Sequence, residues 1–235
     1  DVVGSIEGVG LVVGNRDKER LGEIVQAKAN GHRVCGLEDK SQSLPHRTRA
    51  MVKIQEGCSQ SCSFCVVPWV RGRERSCPAE EIIAEVKAKV AEDYKEIVLT
   101  GTRIGSYNQD GGLRGLVERI LKESDVPRIR LSSLEPHDLN PEMLSLWKDS
   151  RLCPHVHLPL QSGCDSVLER MGRAYSTADY ERAATLAREA VPNLSLTSDI
   201  MAGFPGESEE EFSESYSFCE RMGFAGLHVF PFSVR

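Results

Sequence analysis

Short apolar runs alternate with amphipathic helical stretches through most of this 235-residue chain, and this alternation limits the possible folds more than any other feature. Six strands are predicted, at residues 51–57, 96–101, 128–133, 155–161, 194–203 and 227–233. Helices are predicted around them, at residues 78–93, 113–124, 140–150, 165–171, 176–191 and 207–223. Such alternation is typical of a parallel sheet with right-handed crossovers. Because six units are too few for a closed eight-stranded barrel, we predict an α/β fold, a partial (β/α)6 TIM-type barrel.

The N-terminal part of the chain does not continue this pattern. A short strand and then a helix at about residues 18–29 are predicted there. Residues 37–49 are polar, contain a proline and lack an apolar period, which is typical of a linker. We therefore predict two parts, residues 1–45 and a barrel domain at residues 46–235. Because the chain starts at Asp1 without a methionine, we expect it to be a fragment of a longer protein.

The composition narrows the class of protein. Apolar residues make up 40% of the chain and charged residues 27%, which is ordinary for a globular domain. The net charge of −6 argues against nucleic-acid binding over the whole surface but is compatible with a local basic patch. No apolar run reaches the length of a membrane span and no signal peptide is evident, so we expect a cytoplasmic protein without membrane contact. The eight cysteines favour a reducing compartment with a metal or redox site.

Three of the cysteines fall in one polar stretch, "GCSQSCSFC", after the first predicted strand. Cys58, Cys62 and Cys65 have the spacing C-x3-C-x2-C. A structural zinc site and a simple ferredoxin cluster each require four protein ligands. Three thiolates satisfy three irons of a four-iron cluster and leave the fourth iron open for a substrate or cofactor. The alternative is a zinc loop completed by a distant residue, such as Cys77 or a histidine.

Further polar stretches follow the later predicted strands, namely "TGTRIGSYN", "SLEPHD", "LQSGC" and "GFPGE". The C-terminal ends of parallel strands meet at one rim of a barrel, where the chemistry of such folds collects. We therefore expect these stretches and the cysteine loop to lie on the same rim.

A small basic group follows the cysteines. Arg71, Arg73 and Arg75 occupy alternate positions, and Trp69 precedes them. On an extended segment this spacing places all three arginines on one side, as a phosphate-contacting patch, with Trp69 available to stack on a base. The alternative is a solvated charged loop.

The cysteine motif, with an aromatic residue before its third cysteine and at the end of the first strand of a partial barrel, resembles the radical S-adenosylmethionine (SAM) superfamily. The strings "KIQEGCSQSCSFCVVPWVRGRERS", "HVHLPLQSGCDSVLERMGRAYS" and "DIMAGFPGESEEEF" are similar to the methylthiotransferase family within it. The details "SSLEPHDL", "HLPLQSG" and "RGRERS" are most similar to the branch that acts on threonylcarbamoyl-adenosine in tRNA.

This resemblance implies a transferase that adds a methylthio group to a modified adenosine next to the anticodon of tRNA. It implies a 4Fe-4S cluster whose open iron binds SAM, an electron donor such as flavodoxin or ferredoxin, and a monomeric protein. A second 4Fe-4S cluster would belong to the N-terminal domain, of which residues 1–45 resemble the tail, with its ligands before Asp1. A C-terminal RNA-binding domain would follow residue 235. The alternatives are methylthiolation of a ribosomal protein, another radical SAM reaction, and a zinc-stabilised binding module without redox chemistry.

The resemblance implies the cluster ligands, and the polar stretches of the rim suit SAM binding on physical grounds. The cluster ligands would be Cys58, Cys62 and Cys65. The residues expected to contact SAM are Phe64, Gly101, Ser133, Glu135, Gln161 and Arg173. Glu135 and Arg173 are the most informative, because charged side chains that point into a barrel mouth need partners. The alternative for each of these residues is a loop position that only satisfies local backbone groups.

Overall fold

The computed structural model describes residues 11–13, 17, 20–29, 48–109 and 111–234. The chain forms two compact units, Asp1–His46 and Arg47–Arg235. In the first unit the structure describes one helix, α1 (Leu21–Ala29), which begins three residues later than predicted. The strand predicted before it is wrong for residues 11–13, which have no strand conformation because no neighbouring backbone pairs with them among the described residues. Most of the predicted linker lies outside the described residues.

Seven strands form the framework of the second unit. They are β1 (Arg49–Glu56), β2 (Arg75–Ser76), β3 (Glu96–Gly101), β4 (Ile129–Leu131), β5 (His155–His157), β6 (Ser195–Ala202) and β7 (Gly226–Pro231). The strand order is β2-β1-β3-β4 in one sheet and β5-β6-β7 in the other. All pairs are parallel except β1 with β2. Single parallel bridges, Ile129 with Leu152 and Ser133 with His157, connect the β4 region to the β5 region. The predicted α/β class with a partial barrel is confirmed.

Helices follow most of these strands along the chain. They are α2 (Val67–Arg71), α3 (Ala79–Ala91), α4 (Gly112–Glu123), α5 (Pro141–Leu144), α6 (Asp165–Arg170), α7 (Thr177–Ala190) and α8 (Glu209–Met222). Short 3-10 turns occur at Ile104–Ser106, Pro136–Asp138 and Ser145–Lys148. Within the described residues, no helix combines the length and the hydropathy needed to cross a bilayer.

Several predicted elements are shorter than the sequence pattern indicates, among them the strand predicted at residues 128–133, which is β4 (Ile129–Leu131), and for two others the cause is local. The helix predicted at residues 140–150 is interrupted at Ser145, where the Oγ atom donates a hydrogen bond to Glu142 O at 2.6 Å and competes with the helical pattern. The strand predicted at residues 155–161 ends at His157. Pro159 has no N–H to donate to a neighbouring strand, and Gln161 has a φ of 70°. The polar stretch "LQSGC" is therefore a loop from its first residues.

Strand β1 shows how the barrel wall is built. Ala50, Val52 and Ile54 are buried beneath the helices, whereas Met51 and Lys53 point to the opposite face and are exposed. Each fully buried aliphatic side chain contributes about 1.5–3 kcal/mol. The apolar side of β1 therefore belongs to the core, and its other side is exposed at Met51 and Lys53.

A local prediction concerns the start of α7. Ser176 Oγ accepts a hydrogen bond from Asp179 N, and Asp179 Oδ2 accepts one from Ser176 N at 2.8 Å, which is a capping box. Ser176→Ala is expected to lower the free energy of unfolding by about 1 kcal/mol in a urea titration. Ser217→Ala, at an exposed position inside α8, is the matched control and is expected to be neutral. Equal losses in the two variants would contradict the capping role.

Candidate functional site

The cysteine loop begins at a position that only glycine can occupy. Gly57, between β1 and Cys58, has a φ of +79°, and a Cβ atom added there would lie 2.1 Å from Arg73 O. This close approach lets Cys58 N donate to Gly72 O at 3.1 Å, which ties the start of the loop to the segment that follows it. Cys58, Cys62 and Cys65 are free thiols and partly exposed.

The far side of the loop rests on the end of α6. Ser63 N donates to Met171 O at 3.0 Å, and Ser63 Oγ donates to Arg170 O at 2.9 Å. Gly172, with a φ of +72°, allows the two backbones to approach, since an added Cβ would lie 3.2 Å from Ser61 O. The loop is therefore held by backbone contacts on both sides, and its thiols remain available.

All three thiols line one cavity of about 250 Å³ at the rim of the barrel. The lining residues are Cys58, Gln60, Cys62, Phe64, Cys65, Val67, Thr102, Arg103, Ser133, Leu134, Glu135, Pro159, Gln161, Arg173 and Asp199. A larger cavity of about 490 Å³ lies between α8 and β7, but its lining is mostly apolar and includes none of these three cysteines. The chemistry of the lining therefore identifies the cysteine cavity as the candidate site.

Five of the six side chains predicted to contact SAM line this cavity. The exception is Gly101, which packs against Gln55 instead: an added Cβ would lie 2.8 Å from Gln55 O. Gly101 thus allows β3 to approach β1 closely and does not itself line the cavity. The functional roles of the other five stay predictions.

A buried carboxylate lies at the centre of the site. Glu135 is 8% exposed, and its Oε1 atom accepts a hydrogen bond from Arg173 Nη2 at 2.8 Å. Its Oε2 atom accepts hydrogen bonds from Arg103 Nε and Gln60 Nε2, each at 2.8 Å. Arg173 Nη1 also lies 3.4 Å from Cys62 Sγ. Burial of these charges is tolerated because each has a partner of opposite charge.

Two buried polar atoms in the cavity wall lack a hydrogen-bond partner among the described residues. They are Gln161 Oε1 and Thr102 Oγ1. Gln161 also has a left-handed backbone, fixed by hydrogen bonds from its N to Asp199 O and from Met201 N to its O, both at 2.9 Å. Buried polar atoms without partners are costly, and backbone strain of this kind clusters at ligand sites. The wall therefore fits a polar ligand that would complete these hydrogen bonds.

The charges around the cavity act on its titratable groups. Burial raises the pKa of the Cys58 thiol, although the N–H of Gln60 and the Arg103 charge act in the opposite direction. A hydrogen bond from His157, at 3.2 Å, lowers the pKa of Asp199 and keeps this carboxylate ionised. Burial raises the pKa of Tyr175 to about 12, so its hydroxyl stays protonated beside Arg173. The site therefore places the Asp199 carboxylate and the Arg103 and Arg173 cations around the cavity that the Cys58 thiol lines.

The cysteine loop brings three thiols to the cavity, one ligand fewer than a structural zinc site requires. Cys77, considered above as a fourth zinc ligand, packs against the apolar core and is not among the residues that line the cavity. Three thiolates from one loop have the ligand chemistry of an iron-sulfur cluster with an open iron. The residues present therefore fit a 4Fe-4S cluster.

The segment after the cysteines differs from its prediction. Arg71 is the last residue of helix α2 (Val67–Arg71), which has Pro68 in its first turn, so the three arginines do not share an extended segment. Arg75 lies in β2, 3.7 Å from Glu56. Trp69 is 90% exposed. The prediction that alternate spacing aligns the arginines on one side is wrong for Arg71, while the RNA contacts of Trp69 and the arginines stay predictions.

Sequence reasoning missed four polar residues of this cavity, Gln60, Thr102, Arg103 and Asp199, and its three apolar residues Val67, Leu134 and Pro159. Thr102 and Arg103 lie in the stretch "TGTRIGSYN", which was expected on this rim, but nothing in it distinguished them from other polar residues. Asp199 lies on the predicted strand at residues 194–203 and faces the cavity from β6. The signal for Gln60 was its place inside the cysteine motif, and the signal for Thr102 and Arg103 was their place just after β3.

The model of the radical SAM superfamily matches residues 52–219. MtaB of Bacillus subtilis (strain 168), a threonylcarbamoyladenosine tRNA methylthiotransferase, is 39% identical in an alignment over 247 residues. The alignment covers 98% of this chain and 55% of the relative. A tRNA-2-methylthio-N(6)-dimethylallyladenosine synthase of Geobacter sulfurreducens is 38% identical over 240 residues, covering 96% of this chain and 54% of the relative. The chain thus spans just over half the length of these curated relatives.

Solved structures agree on the fold. The radical S-adenosylmethionine methyltransferase TsrM from Kitasatospora setae superposes with a TM-score of 0.67 at 18% identity, covering 77% of this chain and 36% of TsrM. At this identity the likeness concerns the fold alone. The superfamily match covers most of the chain and includes the cysteine loop and the cavity. The chain therefore belongs to the radical SAM superfamily.

Proposed function

We propose that this chain is the radical SAM domain of an enzyme that adds a methylthio group to a modified adenosine in tRNA. The observation that carries the proposal is the single cavity that brings three free thiols together with Glu135 and Arg173. The identity of 39% to a threonylcarbamoyladenosine tRNA methylthiotransferase supports the substrate class. The activity belongs to the whole protein, of which this chain is the part with the cysteine motif.

The cluster would be held by Cys58, Cys62 and Cys65, and SAM would occupy the rest of the cavity. Together these groups supply radical chemistry at an unreactive C–H bond. Arg173 would bind the carboxylate of SAM, since it is the buried cation nearest Cys62. Glu135 would accept a hydrogen bond from the ammonium group of SAM.

The remaining wall residues would orient the adenosyl part of SAM. Gln161 Oε1 would accept a hydrogen bond from SAM, and the Thr102 Oγ1 hydroxyl would donate or accept one, and these are bonds that both atoms otherwise lack. Ser133 would contribute a further hydroxyl, and Phe64 would exclude water with its apolar ring. Excluding water protects a reactive site from side reactions.

The proposed nucleoside is threonylcarbamoyl-adenosine, and dimethylallyl-adenosine is the second candidate because a relative named for it is 38% identical. The test uses the whole protein, reconstituted with iron and sulfide without oxygen, and tRNA that lacks the methylthio group. Mass spectrometry of the digested nucleosides is expected to show methylthio-threonylcarbamoyl-adenosine. Formation of the dimethylallyl product alone would favour the second candidate. The absence of both products would refute tRNA methylthiolation.

Trp69 provides a separate test of RNA binding. Its ring is 90% exposed, beside Arg71, and is proposed to stack on a base of the tRNA. Trp69→Ala is expected to weaken tRNA binding by about 1–3 kcal/mol in fluorescence anisotropy at fixed salt. Tyr216→Ala, which removes an aromatic ring that is 58% exposed on α8, is the control and is expected to bind normally. The same loss in both variants would contradict stacking at Trp69.

The remaining partners follow from the same proposal. An electron donor such as flavodoxin or ferredoxin would reduce the cluster, and the protein would act as a monomer in the cytoplasm. A second 4Fe-4S cluster would be held by another domain of the whole protein. The proposed RNA contacts of Arg71, Arg73 and Arg75 would position the tRNA backbone and would not read its sequence.

A further inference from the structure

Arg103 contacts the cysteine loop through two different carboxylates. Its Nη1 atom lies 3.3 Å from Glu74 Oε1, which also accepts a hydrogen bond from Ser59 N at 3.4 Å. Its Nε atom donates to Glu135 Oε2 at 2.8 Å, and the same oxygen accepts a hydrogen bond from Gln60 Nε2 at 2.8 Å. One guanidinium group is therefore linked to two consecutive residues of the loop.

Arg103 is itself held in place by the end of β1. Its backbone N donates to Gln55 Oε1 at 2.9 Å, and Gln55 Nε2 donates to Gly57 O at 2.7 Å. Gln55 is fully buried. The residue before the first cysteine and the turn after β3 are thus connected through one buried amide, so Arg103 is fixed relative to the start of the loop.

The loop depends on such polar contacts because it has little apolar surface to bury. Between Cys58 and Cys62 the residues are Ser59, Gln60 and Ser61, and none of the three is buried. The planar guanidinium group offers five donors in a fixed geometry, which lets it bind two carboxylates at once. Hydrogen bonds between charged groups are stronger than neutral ones.

We propose that Arg103 is a positioning residue that holds the cysteine loop in its ligand-presenting conformation before the cluster binds. Arg173 contacts the other oxygen of Glu135, Oε1, and approaches Cys62 directly. Arg103 instead acts through Glu74 and Glu135 on Ser59 and Gln60. The inference rests on the proposed function, because that function requires the loop to present its thiols to a cluster. The contacts of Arg103 themselves are present in the protein without any cofactor.

The test is hydrogen exchange of the purified metal-free chain, followed by mass spectrometry of peptides that cover residues 58–63. In Arg103→Gln these amides are expected to exchange about tenfold faster than in the unchanged protein, as for loss of a hydrogen bond to a charged group. Arg103→Lys keeps the positive charge but loses the planar guanidinium group. This variant is expected to restore part of the protection of the loop amides. Arg114→Gln, at an exposed pair with Glu118, is the control and is expected to leave the loop unchanged.

A second readout follows cluster assembly. After addition of iron and sulfide without oxygen, the visible absorbance of the cluster is expected to rise more slowly in Arg103→Gln than in the control, because the thiols are less well ordered. Unchanged exchange at residues 58–63 in a folded Arg103→Gln protein would overturn the proposal. If Arg103→Gln loses protection throughout the barrel, the exchange of Arg103→Lys is compared with that of the unchanged protein. Faster exchange confined to residues 58–63 in Arg103→Lys supports the proposal. Unchanged exchange at these residues overturns it. Failure of the tRNA assay would leave these exchange results intact, since they require neither cluster nor tRNA.

Discussion

Replacement of Cys62 by alanine is expected to abolish SAM cleavage while the barrel remains folded. Cys62 is the middle thiol of the loop and the one that Arg173 approaches, at 3.4 Å. With two thiolates left, the loop lacks the third ligand of a cluster with one open iron. We expect cleavage to fall at least about 100-fold, since loss of even an indirect metal contact costs 10–100-fold. The measurements are iron content, chromatography of the adenosyl product, and circular dichroism for the fold.

Cys219→Ala is the matched control for this experiment. Cys219 is a free cysteine in α8, where burial raises the pKa of its thiol to about 11, and it lines the apolar cavity between α8 and β7. Its replacement is expected to leave iron content and SAM cleavage unchanged. Cleavage by Cys62→Ala at the rate of the unchanged protein would refute the assignment of the cluster to this loop.

The second large effect concerns stability. Glu135→Ala leaves the guanidinium groups of Arg173 and Arg103, whose side chains are 8% and 21% exposed, without their shared carboxylate. Removal of one partner of a buried ion pair typically costs about 3–5 kcal/mol, because the remaining charge stays buried. We expect a loss of this size in the free energy of unfolding, measured by urea denaturation.

Glu118→Ala provides the comparison for Glu135→Ala. Glu118 pairs with Arg114 at 2.9 Å on the surface of α4, and both side chains are about half exposed. Such exposed helix pairs contribute only about 0.3–0.5 kcal/mol. A loss in Glu135→Ala as small as in this control would show that the two arginines find other partners, and would contradict the central place of Glu135 in the site.

The strands were predictable because their apolar residues are the ones the helices bury. β3 is the clearest example, since "EIVLTG" is a strand over the whole predicted range, residues 96–101. The strand predicted at residues 155–161 failed after His157, where a proline and the left-handed backbone of Gln161 replace the regular pairing. Apolar residues continue there, so periodicity alone gave no sign of the strand's end.

The candidate site was predictable where local motifs or strand ends carry the signal. The three cysteines stand in one motif, and Ser133 and Gln161 are the last residues of predicted strands. The network around Glu135 was less accessible, because Arg103 is 32 residues before Glu135 and Gln60 is 75 residues before it. Contacts of this range depend on strand register and on side-chain direction, which no local pattern of residues specifies. The helical turn at Arg71 was missed for a different reason, because the alternating arginines suggested an extended segment.

The most direct test of this account is an electron paramagnetic resonance spectrum of the reduced protein, reconstituted with iron and sulfide without oxygen, recorded with and without SAM. The account predicts a cluster signal that changes when SAM is added, because SAM would bind the iron that the three thiolates leave open. A protein that holds only zinc, or a cluster signal unaffected by SAM, would contradict it.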